Sequence, residues 1–153
     1  MFPKDLKHFK SNEFHEPDFM SHDLLYRIDA LREYMGTKIV ITASTGKVHS
    51  ENSQHYLGKA VDIVFPDWKG SLISLFFIIE RFGFNGIGIY PKWQLNGKKI
   101  GGFHVDVRDL TDFQSKRWIG MSKFDEVKKK TVTSYLPFTM IHLMNTGLIP
   151  KKQ

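Results

Sequence analysis

The chain has 153 residues, 41% hydrophobic and 25% charged, the profile of one globular domain with a real core. It contains no cysteine, which excludes disulfides, thiol catalysis and thiolate metal sites, so any metal must be held by His, Asp or Glu. A net charge of +6 is compatible with a polyanionic partner, but the densest basic run, Lys128-Lys129-Lys130, lacks the interleaved aromatics of a single-strand groove and reads as solvated lysine.

The start, Met1-Phe2-Pro3-Lys4-Asp5, lacks the basic-then-apolar pattern of a signal peptide, so no export route is expected. Residues 1–20 are polar and aromatic, and Phe9, Phe14 and Phe19 are expected to pack them onto the body. Ser21 is placed to cap a helix running to Met35, with Leu24, Leu25, Ile28, Leu31 and Met35 on one face and Gly36 just past its end. Lys38 to Ala43 reads as a strand, and Ser44 to Ser53 as a polar loop. Ala60 to Phe65 is a second strand, with Val61, Ile63 and Phe65 on one face and Ala60, Asp62 and Val64 on the other.

Ser71 opens a helix to Phe82 that is apolar nearly all round, so it should be buried, with Gly83 ending it. Its apolar run, Leu72 to Ile79, stops at Glu80-Arg81, too short to span a bilayer, and membrane insertion is not expected. A hairpin follows: Ile87 to Tyr90 leads out, Asn96-Gly97 turns, and Lys98 onward returns to Phe103–Val107. Residues 110–153 hold a Trp118 segment, a lysine-rich stretch and a terminal helix from Pro137, ended by Gly147. No repeat or linker divides the chain, so one domain over 1–153 is expected, with 120–153 as a C-terminal extension of unassigned role. The element order predicts an α+β fold, a small and mostly antiparallel sheet with flanking helices.

Two short pieces carry candidate chemistry. Ser53-Gln54-His55-Tyr56-Leu57-Gly58-Lys59-Ala60-Val61-Asp62 offers an imidazole and, seven positions on, a carboxylate. Gly101-Gly102-Phe103-His104-Val105-Asp106-Val107-Arg108 offers His104, Asp106 and Arg108 on one strand face. Two His and one Asp with an open fourth position form a coordination set typical of hydrolytic zinc, whose bound water becomes nucleophilic near neutral pH. A further carboxylate is needed to move the proton to the leaving amine, and Asp106 is the candidate. The plain alternative is that each strand histidine is a satisfied surface or core residue.

The pattern Ser53-x-His55-x-x-Gly58-x-Ala60-x-Asp62 with His104-x-Asp106 resembles the D-alanyl-D-alanine carboxypeptidase family of zinc peptidases. That group also takes in vancomycin-resistance D,D-dipeptidases, phage peptidoglycan endopeptidases and the hedgehog signalling domain. Residues 86–91 and 103–108 resemble its bacterial and phage branch, and the likeness runs from about Phe9 to about Trp118.

The resemblance implies a hedgehog/D,D-peptidase-like fold, zinc held by His55, Asp62 and His104, and hydrolysis of the peptidoglycan stem peptide. It also implies an acidic base on the His104 side. Many relatives carry this base three residues before the last His, where this chain has Gly101, so the role passes to Asp106. The competing assignment has Asp106 orienting a ligand or pairing with Arg108. Relatives often end the first strand with Ser-Gly-Tyr-Arg, whereas this chain has Ser44-Thr45-Gly46-Lys47. Lys47 or Arg108 would then supply the positive charge of the missing arginine, with a solvated loop lysine as the plain reading of Lys47.

His49 is open between bonding substrate or water and an exposed loop position. Tyr56 and Trp93 are expected to pack the pocket wall, and His8, His15, His22 and His142 have no ligand spacing. A monomer is expected, a nucleic-acid partner is not, and a phage or prophage source would fit the missing signal sequence. The rival to the hydrolase is a zinc-bearing structural or binding domain that has lost catalysis.

Overall fold

A computed structural model describes residues 1–46, 48–110 and 115–150. Helix α1 spans His22–Met35 and buries Leu24, Leu25, Ile28 and Leu31, the stripe its periodicity predicts. Gly36 closes it at φ 57°, a left-handed conformation that suits glycine. Ser21 precedes the helix but makes no side-chain cap. Asp29, buried on α1, accepts the backbone N–H groups of Lys7, His8 and Phe9 and so pins the N-terminal segment. Phe9 and Phe14 are buried there, but Phe19 is 55% exposed and does not pack as expected. The chain at Phe19 presses its backbone carbonyl against Gly58 instead.

Among the described residues six strands form one sheet in the order β1-β2-β6-β3-β7-β8. They are β1 (Val40–Ala43), β2 (Ala60–Val64), β3 (Gly86–Tyr90), β6 (Gly102–Asp106), β7 (Lys116–Asp125) and β8 (Lys130–Pro137). Every pairing is antiparallel except β3 with β7. The fold is therefore α+β with a mostly antiparallel sheet, as the element order predicts. The turn at Asn96-Gly97, both at positive φ, joins only the short strands β4 (Gln94–Leu95) and β5 (Lys98–Lys99), a separate ribbon hung between β3 and β6.

Helix α2 spans Leu72–Glu80, two residues short of the expected end. Ser71 caps it by accepting from the Ser74 N–H. Its expected burial all round fails at Phe77, which is 62% exposed. The largest departure is C-terminal: β7 and β8, the two longest strands described, occupy the Trp118 segment and the lysine-rich stretch, where no strand is expected above although Thr131, Val132, Thr133 and Tyr135 favour one. Helix α3 is short, Met140–Asn145, capped by Thr139 and followed by Gly147 at φ 74°. Among the described residues no helix is long and apolar enough to cross a membrane.

Period-two alternation gives the sheet two unlike faces. Val61, Ile63, Ile87, Ile89, Phe103, Val105 and Ile119 point into one core with α1 and α2. The opposite face carries Asp62, His104, Asp106 and Trp118. Register aligns these across the strands: Asp62 lies opposite His104, His104 opposite Gly88, and Gly88 beside Trp118.

Candidate metal centre

The cross-strand pair Asp62 and His104 places a carboxylate beside an imidazole. His55 arrives from a single 3-10 turn, Gln54–Leu57, which ends at Gly58 with φ 65° and leads directly into β2. A side chain at Gly58 would run into the Phe19 carbonyl at 2.3 Å, so glycine is required there for space as well as for conformation.

Three ligand atoms converge. His55 Nε2 and Asp62 Oδ1 are 3.1 Å apart, as are His104 Nδ1 and Asp62 Oδ1, and His55 Nε2 and His104 Nδ1. Four-coordinate zinc with bonds of 2.0–2.1 Å separates its ligand atoms by about 3.3 Å. The triangle is thus near the size a small divalent ion needs.

The outer ring nitrogens fix the tautomers. His55 Nδ1–H donates to the Ser44 carbonyl at 2.7 Å, and His104 Nε2–H donates to Asp106 Oδ2 at 3.0 Å. Each imidazole therefore turns its remaining nitrogen inward, at the other ring and at a carboxylate oxygen, where it holds a proton or, once that proton is lost, a lone pair. Three electron-rich atoms that close together call for a cation or a proton. The buried group His55, Asp62 and His104 can hold a metal ion.

Electrostatics agree. Burial alone would raise the Asp62 carboxyl, but hydrogen bonds to His104 and His55 outweigh it and bring it to about 2. Burial likewise opposes charge on His104, yet Asp106 and Asp62 on either side of its ring raise it to about 9.

Asp106 is not placed as a base. It is fully buried, with one oxygen receiving His104 and both engaged by the Arg108 guanidinium, while Oδ1 also accepts the Arg108 backbone N–H. Those bonds hold its carboxyl well below the usual range despite burial. It stands behind His104 with its oxygens turned to His104 and Arg108, the geometry that the orienting assignment expects of Asp106 and not that of a base facing the cleft. Arg108 lines the cleft, but Asp106 occupies its Nε and Nη2, and its guanidinium lies 5.3 Å from the Trp118 ring centre. Lys47 lies outside the described residues.

Glycines make room on this face. A Cβ on Gly86 would meet the Asp106 carboxylate at 2.2 Å, one on Gly88 the Trp118 indole at 2.4 Å, and one on Gly120 the Tyr90 ring at 2.0 Å. Large side chains therefore lie flat across the sheet over their glycine neighbours. Trp118 Nε1–H donates to the Tyr90 hydroxyl, and Tyr90 stacks on Trp93 at 4.1 Å. Burial pushes the Tyr90 phenol up. The alternation Gly86-Ile87-Gly88-Ile89 was a sequence sign of such a face: apolar residues inward, bare backbone outward.

The result is a cleft of about 400 Å³ with the ligand triangle in its floor. One wall is the loop from Val48 to Gln54, and the other includes Trp118, Thr133 and Tyr135 of the C-terminal hairpin. Sequence reasoning left out Tyr90, Thr133 and Tyr135. Trp93 packs the wall as expected, whereas Tyr56 braces the loop by bonding both the N–H and the carbonyl of His49. His49 is not an exposed loop residue: its ring stacks on His55 at 4.0 Å, nearly parallel, and burial with the His55 charge lowers its pKa. His15 bonds Thr45, away from the triangle.

Comparison with known proteins adds no assignment: no protein-family model matches the chain, and neither the curated proteins nor the solved structures give a match.

Proposed function

We propose that this protein is a zinc-dependent hydrolase of peptide bonds in the peptidoglycan stem peptide, of D,D-carboxypeptidase or endopeptidase type. Its fold would be that of the D-alanyl-D-alanine carboxypeptidase and hedgehog-like group whose motifs it resembles. The observation that carries the reading is the triangle of two inward ring nitrogens and one carboxylate oxygen, each imidazole oriented by an acceptor on its far nitrogen. Two nitrogens and one oxygen suit zinc and leave a coordination place on the cleft side. When bound, the ion supplies Lewis acidity, polarising a scissile carbonyl and making water acidic enough to attack near neutral pH.

The chain's own groups supply the rest. Asp106 and the Ser44 carbonyl keep His104 and His55 in register. His49, stacked on His55 at the cleft wall, with its pKa lowered by burial and its Nε2 against the Gly46 carbonyl, is the group we assign to proton transfer in place of Asp106. Arg108, neutralised by Asp106, orients that carboxylate more than it serves an oxyanion.

One observation favours a second reading, a metal-bearing binding domain without catalysis: among the described lining residues, Asp62 is the single carboxylate, so the cleft has no acidic base. The test is zinc content by mass spectrometry together with release of D-alanine or cross-linked fragments from purified walls. About one zinc per chain with chelator-sensitive release supports the hydrolase. Zinc-loaded protein that leaves walls uncut supports the binding domain, and protein that takes up no divalent ion sinks both.

A further inference from the structure

Beyond the ligand triangle, the cleft has a wall that metal binding does not need. In the β7–β8 hairpin Gly120 pairs with Tyr135 and Ser122 with Thr133, while Ile119 pairs with Leu136. Ile119 is buried in the core and Leu136 packs against it, so alternation turns Thr133 and Tyr135 to the face that bears the metal centre. Tyr135 is 60% exposed on the edge strand and still lines the cleft. Its neighbour across the pair is Gly120, over which the Tyr90 ring lies. A bare-backbone strip thus separates two phenol rings. Thr133 is fixed by a 3.0 Å hydroxyl bond to Ser122. The opposite wall presents Ser50, Asn52, Ser53 and Gln54, hydroxyl and amide groups suited to a peptide main chain.

Distance decides what such a wall can read. β8 stands three strand positions from β6, which carries His104. At 4.7–4.9 Å per strand this is about 14 Å. An extended peptide rises about 3.4 Å per residue, so about four residues bridge the gap. Measured along the backbone, a dipeptide held at the ion covers about half of this gap, whereas a pentapeptide covers all of it.

We propose that Thr133 and Tyr135 on β8 form a specificity-determining subsite that grips an extended peptide about four residues from the bond at the metal centre. The protein thereby selects long peptide substrates over free dipeptides. This rests on the hydrolase reading for its turnover test but not for its binding test.

The experiment compares zinc-loaded full-length wild type with Tyr135→Ala, Tyr135→Phe and Thr133→Val on two probes, a synthetic stem pentapeptide and D-alanyl-D-alanine. For Tyr135→Ala we expect the pentapeptide-to-dipeptide ratio of kcat/KM to fall about tenfold, through KM. Zinc content should stay at the wild-type level, and Tyr135→Phe should keep most of the preference. A merely structural role would lower both substrates together, and an unchanged ratio overturns the proposal. If wild type cleaves neither probe, the hydrolase reading fails and equilibrium binding of the pentapeptide decides. About tenfold weaker binding by Tyr135→Ala then upholds the subsite, and equal affinity or no binding to wild type overturns it.

Discussion

The two ends of the sheet are built on different physics. Strands β2, β6 and β3 are short, buried on both faces and cross-braced: Phe103 and Val105 face the core, while His104 and Asp106 are tied to Asp62, His55 and Arg108. The β7–β8 hairpin is longer but largely exposed, with Phe124, Val127, Val132 and Tyr135 all open to solvent. The first region has little freedom and holds its three polar atoms at one common spacing of 3.1 Å, the kind of fixed geometry a metal site requires. The second has surface to spare, which suits recognition.

The largest effect expected from breaking the first region is loss of the ion. His104→Ala should cut zinc affinity by more than about a hundredfold, beyond the range seen when only a supporting group is removed. Competition with a chromogenic chelator measures it, and tight binding that survives would discard the triangle as the site. Next comes stability. Phe103→Ala, at a fully buried position, should cost about 3–5 kcal/mol, whereas Val132→Ala on β8 should stay within about 1 kcal/mol. Urea melts of both variants test the contrast, and equal losses would mean that the hairpin is part of the same core.

Asp106→Asn keeps the shape but weakens the grip on His104, so metal affinity should fall about 10–100-fold while the fold persists. If instead turnover vanished with affinity unchanged, Asp106 would have to be restored as a proton-moving group.

Acidity separates the metal-free and loaded states. The folded-state pKa of His104 lies at about 9, above its unfolded value of about 6.5. Its charged form therefore stabilises the metal-free protein fully below about pH 6.5, and this contribution is lost as pH rises through about 9. Asp62 has the opposite sign: its contribution is present above the ordinary carboxylate range and is lost as pH falls through about 2. A divalent ion bound there would displace the proton of His104, so its binding near pH 7 should release close to one proton, falling to about half a proton near pH 9. Calorimetry in buffers of different ionisation enthalpy reads this, and buffer-independent heats would contradict it.

The smallest change belongs to the hairpin turn, where Lys129 sits at φ 50°. Lys129→Gly should relieve about 1 kcal/mol of left-handed strain and raise the melting temperature without altering zinc affinity.

The sequence by itself determined the α1 stripe and the β2 and β6 alternation, and it named His55, Asp62 and His104 as a candidate set whose convergence the fold supplies. A buried face must repeat with the period of its element, and ligands must lie on the face the core leaves free. It could not determine the role of Asp106, because a carboxylate two residues from His104 reads the same whether it faces the cleft or is covered by Gly86 and Arg108. In β8 the run Thr131-Val132-Thr133 and Tyr135 favours a strand, but flanking lysines and the weak apolar period of an exposed hairpin mask it. Only the tertiary structure decided that this hairpin joins β3 in parallel and carries Thr133 and Tyr135 to the cleft. Pairing between segments some thirty residues apart depends on which sheet edge is open, and that is a property of the assembled fold.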